Sequence, residues 1–382
     1  MGGVTTTPYW LGGKTELAVP AATRRGETDV TIIGAGVTGL SCALTLARGG
    51  MAVRVVDTRG VAAGASGRNG GFALRGGTPA YDEAVASLGR EHAQGLWRLT
   101  ETAFARMLEL GGDAFRRVGS IRLAASDDEL EAIEREYAAL TADGFVVERV
   151  ARLEPPLDRL YAGAIHHPGD AGFNPAVWME RLAAHAVEAG AEIVADTVNP
   201  EALPEGTVVI AVDAHTSKLL PELADAVQPA RGQMLATAPL PAVRYGVPYY
   251  ARDGYDYWQQ LPDGTLLVGG CRDHAFAAEA SADDDVTSTV QSGIERLLVN
   301  LVGRAPTITH RWSGAWGETL DRLPLCGPVP GRGGVWVAGG YSGHGNILGF
   351  ACGELIGKAL LGDVRRELRL FDPRRPSLSQ RA

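Results

Sequence analysis

Three glycines, Gly34, Gly36 and Gly39, stand between the apolar run Val30-Thr31-Ile32-Ile33 and a stretch of helical spacing from Leu40 to Arg48. In such a turn the first glycine permits the sharp bend and the second lets the backbone approach a pyrophosphate. The third lets helix and strand pack closely. The N–H groups and dipole at the helix start, around Val37 and Thr38, would then face phosphate. Gly49-Gly50 stops that helix, and Met51 to Val56 reads as a second strand ending at Asp57. A carboxylate there can accept hydrogen bonds from ribose hydroxyls. A strand–helix–strand unit of about thirty residues with these features is a dinucleotide site. Flavin and nicotinamide dinucleotides use the same glycines and the same acid, so the motif leaves both open.

Other candidate chemistry is sparse. The only lysines are Lys14, Lys218 and Lys358, so a Schiff base or an oxygen-activating ammonium has few sources. Cys42, Cys271, Cys326 and Cys352 form no CxxC pair. They read as reduced thiols filling the core, and no metal site is expected. His166 and His167 are adjacent, so their side chains diverge, and both read as structural. No Ser-His-Asp set carries a nucleophile-elbow pattern. Aromatic residues do cluster, at Tyr249, Tyr250, Tyr255, Tyr257 and Trp258, with Trp312 and Trp316 later. Strand alternation puts Tyr255 and Tyr257 on one face and Trp258 on the other. Such rings either hold a substrate ammonium, at ~0.5–2 kcal/mol each, or pack the core of a sheet. Tyr250, Tyr257 and Trp258 are the candidates for a pocket wall.

The chain that must position these groups has 382 residues, 45% of them hydrophobic and 21% charged, which suits one large domain or two interlocked ones. Lys and Arg number 36 against 45 Asp and Glu, a net charge of −9. That balance argues against a nucleic-acid partner, which needs a basic face, and against polybasic attachment to a membrane. No apolar run approaches the ~18 residues of a spanning helix, and the N-terminus lacks a signal-peptide core. A cytoplasmic location is expected. Residues 1–28 read as an extended lead-in. Amphipathic helices are expected over 81–118 and 127–142, and a helix opened by Asn174 and Pro175 runs to Gly190. Strands are expected at 192–194, 208–212 and 335–338, and Asp263-Gly264 marks a hairpin. A helix follows the last strand to Leu361, and the tail beyond Phe371 reads as frayed.

The lead-in Tyr9-Trp10-Leu11, the dinucleotide unit and Gly64-Ala65-Ser66-Gly67-Arg68-Asn69-Gly70-Gly71 together resemble the D-amino acid oxidase family of FAD-dependent oxidoreductases. The resemblance continues at Pro229-Ala230-Arg231-Gly232-Gln233-Met234 and at Thr319, Asp321, Pro324 and Gly327. It ends with Gly339-Gly340-Tyr341-Ser342-Gly343-His344-Gly345, so the ordered motifs span nearly the whole chain. It implies that the glycine-rich segment, through Ala65, Ser66, Arg68, Asn69, Gly70 and Gly71, runs under the pyrophosphate and beside the isoalloxazine. Backbone without side chains can approach a flat ring there. It also implies that the backbone of Val198 holds the adenine. Gly340, Gly343, His344, Gly345 and Asn346 would form a loop and helix start against the flavin's N1–C2=O edge, stabilising its reduced anion. His344 is the one candidate for a catalytic side chain.

Relatives that bind FAD covalently use a cysteine before the Thr-x-Asp motif. That position falls near Gly314 here, with no cysteine from Arg311 to Leu323, so non-covalent FAD is expected. Sarcosine oxidases in the family use one lysine after the SGHG loop for the substrate carboxylate and another above the flavin for oxygen. The matching stretches, Asn346-Ile347-Leu348 and Thr265 to Gly270, carry no cation. A small N-methyl amino acid therefore fits poorly, and Arg75 is left as a cation for an acidic substrate group.

The expected fold is α/β, a doubly wound Rossmann-type FAD-binding domain with an inserted α+β substrate domain. The first would comprise 1–80, 145–225 and 325–382, the second 81–144 and 226–324. The expected reaction is oxidation of the CH–NH bond of an amine or amino acid by hydride transfer to flavin N5, with hydrolysis of the imine. By resemblance the nearest substrate is a γ-glutamylated polyamine or similar primary amine. Dioxygen is the expected acceptor, with a quinone or partner protein as the alternative. A flavin-holding subunit of a hetero-oligomer, a homo-oligomer and an NAD enzyme are the remaining readings.

Overall fold

The computed structural model describes residues 4–12, 17 and 26–378; Lys14 and Ser379 lie outside the described residues. The first part of the chain forms β1 (Val30–Ile33), α1 (Val37–Arg48), β2 (Val53–Asp57), α2 (Ala65–Arg68), β3 (Phe72–Ala73), α3 (Tyr81–Leu88), α4 (Arg90–Gly111), β4 (Phe115–Arg116), β5 (Ser120–Ala124) and α5 (Asp127–Ala142). Next come β6 (Glu148–Arg149), α6 (Leu157–Leu160), β7 (Gly163–His167), β8 (Ala171–Phe173), α7 (Pro175–Glu188), β9 (Glu192–Ala195), β10 (Thr207–Ile210) and α8 (Thr216–Leu219). The remainder holds β11 (Gln228–Thr237), β12 (Tyr249–Ala251), β13 (Asp256–Gln260), β14 (Leu266–Gly270), α9 (Ser288–Val302), β15 (Ile308–Glu318), β16 (Leu325–Pro328), β17 (Val335–Gly339) and α10 (Gly345–Leu360).

Side-chain caps open α7 and α5. Asn174 accepts hydrogen bonds from the N–H groups of Ala176 and Val177, with Pro175 as the first helical residue of α7. Ser126 accepts from the Glu129 N–H at the start of α5. The single helix expected over 81–118 is two, because Gly89, at φ 81°, turns the chain between α3 and α4. The second ends at Gly111.

Six strands form one sheet in the order β16-β17-β10-β1-β2-β9. All neighbours pair in parallel except β16 with β17. Alternate residues serve its two faces: Ile32, Val209 and Ala338 enter the core beneath α1, whereas Ile33, Val208, Ile210 and Val337 pack on Leu219, Leu220 and Leu223. From β1 the chain goes to β2 on one side, while β10 lies on the other. The topological switch point, where open parallel sheets bind their ligands, is therefore between β1 and β10.

The contact between α10 and α1 is paved with glycine. Gly349, Gly353 and Gly357 recur at every fourth residue, and a Cβ at Gly353 would lie 2.3 Å from the Thr38 carbonyl oxygen. At Gly357 it would lie 2.7 Å from Thr45 Cβ. Ser41 Oγ donates to the Phe350 carbonyl at 2.7 Å across the same contact.

Eight strands form the second sheet, β15-β11-β14-β13-β12-β5-β7-β6. Helix α9 covers its outer face, with Ile294, Leu298 and Leu301 packing on Trp258, Leu266 and Val268. Across its other face Trp312 and Gln259 reach the Arg68–Gly71 segment. The sheets do not divide at residue 145 as expected: β6 and β7 hydrogen-bond into the second sheet beside β5. Helix α4, expected in the substrate domain, is tied to α10 by the Arg106–Glu354 ion pair. The tail is also anchored further than expected. Arg375 donates to both Asp321 carboxylate oxygens at 2.6 and 2.8 Å, and Leu378 is buried. Among the described residues no helix is long and apolar enough to cross a membrane.

Gly353→Ala forces a methyl group into the backbone of α1 and is expected to destabilise the protein by roughly 1–3 kcal/mol in urea unfolding. Gly95→Ala, on α4 with nothing within 4 Å of the new Cβ, is expected to stabilise by about 0.5–1 kcal/mol. Equal midpoints for the two variants would contradict the packing argument.

Candidate functional site

The glycine turn is as tight as its motif requires. Gly34 has φ 113°, and a Cβ there would lie 2.3 Å from the Ala211 carbonyl oxygen. At Gly39 a Cβ would lie 1.9 Å from the Gly34 oxygen. Asp57 locks this turn to the end of β2, since one carboxylate oxygen accepts from the Ala35 N–H at 2.8 Å and the other from Arg59 N–H at 2.9 Å. Ser66 Oγ accepts from the Val37 N–H at 3.0 Å and would meet a Cβ at Gly36 at 3.1 Å. Thr38 Oγ1 and the Tyr341 hydroxyl lie 2.8 Å apart. The first glycine motif, the Ala65–Ser66 segment and the late loop thus converge at the switch point.

The late loop depends on Asp213, a residue whose role no sequence motif signalled. It follows β10 at φ 46°, and its carboxylate accepts from the Gly340 N–H at 2.8 Å. Burial raises its pKa to about 6, although the N–H groups of Gly317, Gly340 and Tyr341 oppose the shift. Val198 packs on the cluster that contains Val208 and Ile210.

A cleft of about 720 Å3 is lined by strands of the second sheet, by the segment from Ala65 to Ala80 and by the late loop, and by none of the residues of the glycine turn. Arg68, Asn69 and Gly70 line one side, with His344 and Asn346. The carbonyls of this segment are clamped from three directions: Trp312 Nε1 donates to Arg68 O and Trp10 Nε1 to Asn69 O, each at 2.8 Å, while Gln259 donates to Gly71 O at 3.0 Å. Asn69 Oδ1 accepts from the Gly71 N–H at 2.8 Å, and Asn346 donates to Phe72 O at 2.8 Å. Arg68 donates to Ala63 O and Ser313 O and pairs with Asp284 at 3.2 Å, with burial lowering its pKa. Gly314 also lines the cleft, where a Cβ would lie 3.0 Å from Arg68 Cβ.

Tyr250 and Tyr257 are cross-strand partners and both line the opposite wall, with Tyr255 and Trp316. Trp258 does not. It sits on the outer face, fully buried and stacked 5.5 Å from Tyr249, because alternation turns it away from the cleft. Arg75 lines the cleft, but its charge is committed. It pairs with Asp170 at 3.0 Å and Glu101 at 2.7 Å, and Ser120 Oγ donates to Asp170 at 2.7 Å. Arg122, not singled out from the sequence, likewise pairs with Glu136 and Asp253.

His344 lies beside these groups. Burial pushes its pKa down to about 4 from an ordinary value near 6.5, with Asp170 opposing and Arg122 reinforcing the shift. Its imidazole is therefore neutral near pH 7, and Nδ1 is sealed from solvent without a partner among the described residues. His167, read as structural, also lines the cleft, and its Nε2 is likewise sealed and unpartnered. His166 points the other way, to Glu148 at 3.0 Å.

The chain matches the family model DAO, FAD dependent oxidoreductase, over residues 29–359. It belongs to that family. It is 30% identical to the oxidoreductase OrdL of Rhizobium meliloti (strain 1021), covering 90% of this chain and 86% of the relative. Identity to the gamma-glutamylputrescine oxidoreductase of Escherichia coli (strain K12) is 28%, covering 88% and 84%. Glycine oxidase from Geobacillus kaustophilus shares the fold with a TM-score of 0.73 at 22% identity, covering 93% of this chain and 99% of that chain. L-proline dehydrogenase from P. horikoshii aligns with a TM-score of 0.75 at 18% identity, over 92% and 98%. This family member is an FAD-dependent enzyme, and its geometry fits the cofactor: the cradle at Gly34 and Gly39 admits no side chain, and the helix start at Val37 lies at the switch point.

The depressed pKa of His344 has a sign that can be checked. The folded state binds this proton more weakly than the unfolded chain. Its contribution to stability is complete above about pH 6.5 and lost as the pH falls toward 4. The urea midpoint of the wild type is expected to drop more between pH 7 and 4.5 than that of His344→Asn. Parallel drops would show that the imidazole is not held neutral.

Proposed function

We propose that this enzyme oxidises the CH–NH bond of an amine, with FAD held non-covalently between the glycine turn and the late loop. Gly34, Gly36, Val37, Thr38 and Gly39 would receive the pyrophosphate, and Asp57 the ribose hydroxyls. Ala65, Ser66, Arg68, Asn69, Gly70 and Gly71 would flank the isoalloxazine from one side. Gly340, Gly343, His344, Gly345 and Asn346 would do so from another, with the Val198 backbone at the adenine. Bound FAD supplies the two-electron acceptor for the C–H bond next to nitrogen.

The observation that carries the reading is the electrostatics of the cleft around His344. Glu136, Asp170 and Asp253 line it there, against Arg75 and Arg122. This acidic end attracts a substrate ammonium, and the faces of Tyr250 and Tyr257 offer it cation–π contact. The His344 imidazole, neutral near pH 7, does not repel the amine as an imidazolium would. The second sheet and the Arg68–Gly70 segment would flank the bound amine and hold it in place. Water then hydrolyses the imine product.

Similarity to gamma-glutamylputrescine oxidoreductase favours a γ-glutamylated polyamine or a similar primary amine. Dioxygen is the proposed acceptor. A dehydrogenase passing electrons to a quinone or partner protein is the second reading, favoured by a cleft with no lysine among its described lining residues.

The test is the visible spectrum of the FAD-loaded enzyme, titrated anaerobically with a panel of amines that begins with γ-glutamylputrescine. Bleaching of the flavin by one amine is expected, and recovery of the colour in air would identify an oxidase. A spectrum that no amine bleaches would sink the amine reading.

A further inference from the structure

The cations of the cleft are not equivalent. Arg68, Arg75 and Arg122 each meet a carboxylate together with further acceptors, as described above. Arg272 differs. It follows β14 and lines the cleft. One of its nitrogens, Nη2, donates to Glu318 at 2.6 Å. Its guanidinium carbon lies 4.9 Å from the centroid of Phe276, 5.4 Å from Trp316 and 5.9 Å from Tyr255. Nε and Nη1 have no partner among the described residues. Three rings and one carboxylate therefore hold a planar cation in a fixed pose with donors to spare.

The scaffold around this group is also fixed. Trp316 Nε1 donates to the same Glu318 oxygen at 3.3 Å. The segment that carries Arg272 and Phe276 is pinned by Glu279, which is fully buried and accepts from Arg231 at 2.8 Å, Gln233 at 2.9 Å and Thr287 at 2.8 Å. Arg322, exposed and without an ion pair among the described residues, lines the cleft as well. Glu318 is the one carboxylate paired with Arg272 among the described residues, and Arg322 adds a cation without an ion pair to the cleft lining. The group around His344 carries surplus negative charge.

We propose that Arg272 is the anchor for a carboxylate on the substrate, remote from the nitrogen that is oxidised. This rests on the amine reading above and narrows it: the substrate is an amine that also bears a carboxylate, ammonium toward Glu136 and Asp170, carboxylate on the guanidinium edge. The aromatic box and Glu318 position the fork, and guanidinium pairs with carboxylate in two parallel hydrogen bonds.

Calorimetric titration of the FAD-loaded enzyme with pentanoate, pentanamide and pentylammonium tests this without turnover. Wild type is expected to bind pentanoate more tightly than pentanamide. Arg272→Met is expected to weaken pentanoate about 10- to 100-fold and leave pentanamide unchanged, while Arg272→Lys restores part of the loss. Should Arg272→Met fail to retain FAD, Glu318→Gln is the second variant, expected to tighten pentanoate by removing the competing charge. Pentanoate bound equally by wild type and Arg272→Met would overturn the proposal. So would an equal loss of acid and amide, or tighter binding of pentylammonium by Arg272→Met, which would mark the box as a cation site. Unchanged or weaker pentanoate binding by Glu318→Gln would overturn it too. If no amine bleaches the flavin while pentanoate binding still depends on Arg272, the amine reading falls and the anchor stands.

Discussion

The close crossing of α10 over α1 is the constraint on which the rest of the structure depends. Helix axes normally stay 8–10 Å apart because side chains intervene, and here glycines at every fourth position of α10 remove them. The N-termini of two helices, one after the glycine turn and one after the late loop, are thereby brought to the same edge of the parallel sheet. Each supplies free N–H groups and a positive dipole end. The Thr38–Tyr341 contact of 2.8 Å ties the two loops directly. A bulkier residue in this seam would separate the glycine turn from the late loop before it disturbed either one.

The second sheet contributes what the first cannot, a rigid wall with side chains. Its inner rings lie on glycines: a Cβ at Gly269 would meet Tyr257 at 2.3 Å, and one at Gly232 would meet Trp316 at 2.6 Å. Small residues beneath large rings let the wall come close to the Arg68–Gly71 segment. Two donors of the wall, Gln259 and Trp312, then reach across to that segment's carbonyls, and Trp10 of the lead-in joins them. The segment is held by backbone acceptors, which leaves its glycine surface bare toward the cleft. Charge is handled with the same economy. Arg68, Arg75 and Arg122 are each met by a carboxylate, as burial of an unpaired charge would demand, whereas Arg272 keeps two nitrogens without a partner among the described residues.

Local rules made much of this readable in the amino-acid order. The glycine turn, Asp57 and the Asn174-Pro175 helix start are decided by backbone geometry within a few residues, so their sequence signatures suffice. Strand alternation correctly separated Tyr257 from Trp258, though only the location of α9 shows that the Trp258 face is the covered one. The order of modest glycine motifs identified the family because each motif answers a fixed demand of one cofactor.

What the sequence did not display is every relation between distant segments. Arg75 was a reasonable free cation until Asp170 and Glu101 were brought against it by β8 and α4. Asp213 carries no motif, yet it holds the late loop because β10 ends beneath Gly340. His167 looked idle beside His166, and only the pairing of β5 with β7 turns it into the cleft. The sequence by itself determined the fold family, the cofactor and the glycine turn, since those depend on steric freedom at single residues. Tertiary structure alone decided which charges are spent and which remain, because an ion pair is a matter of distance in space and not of position in the chain.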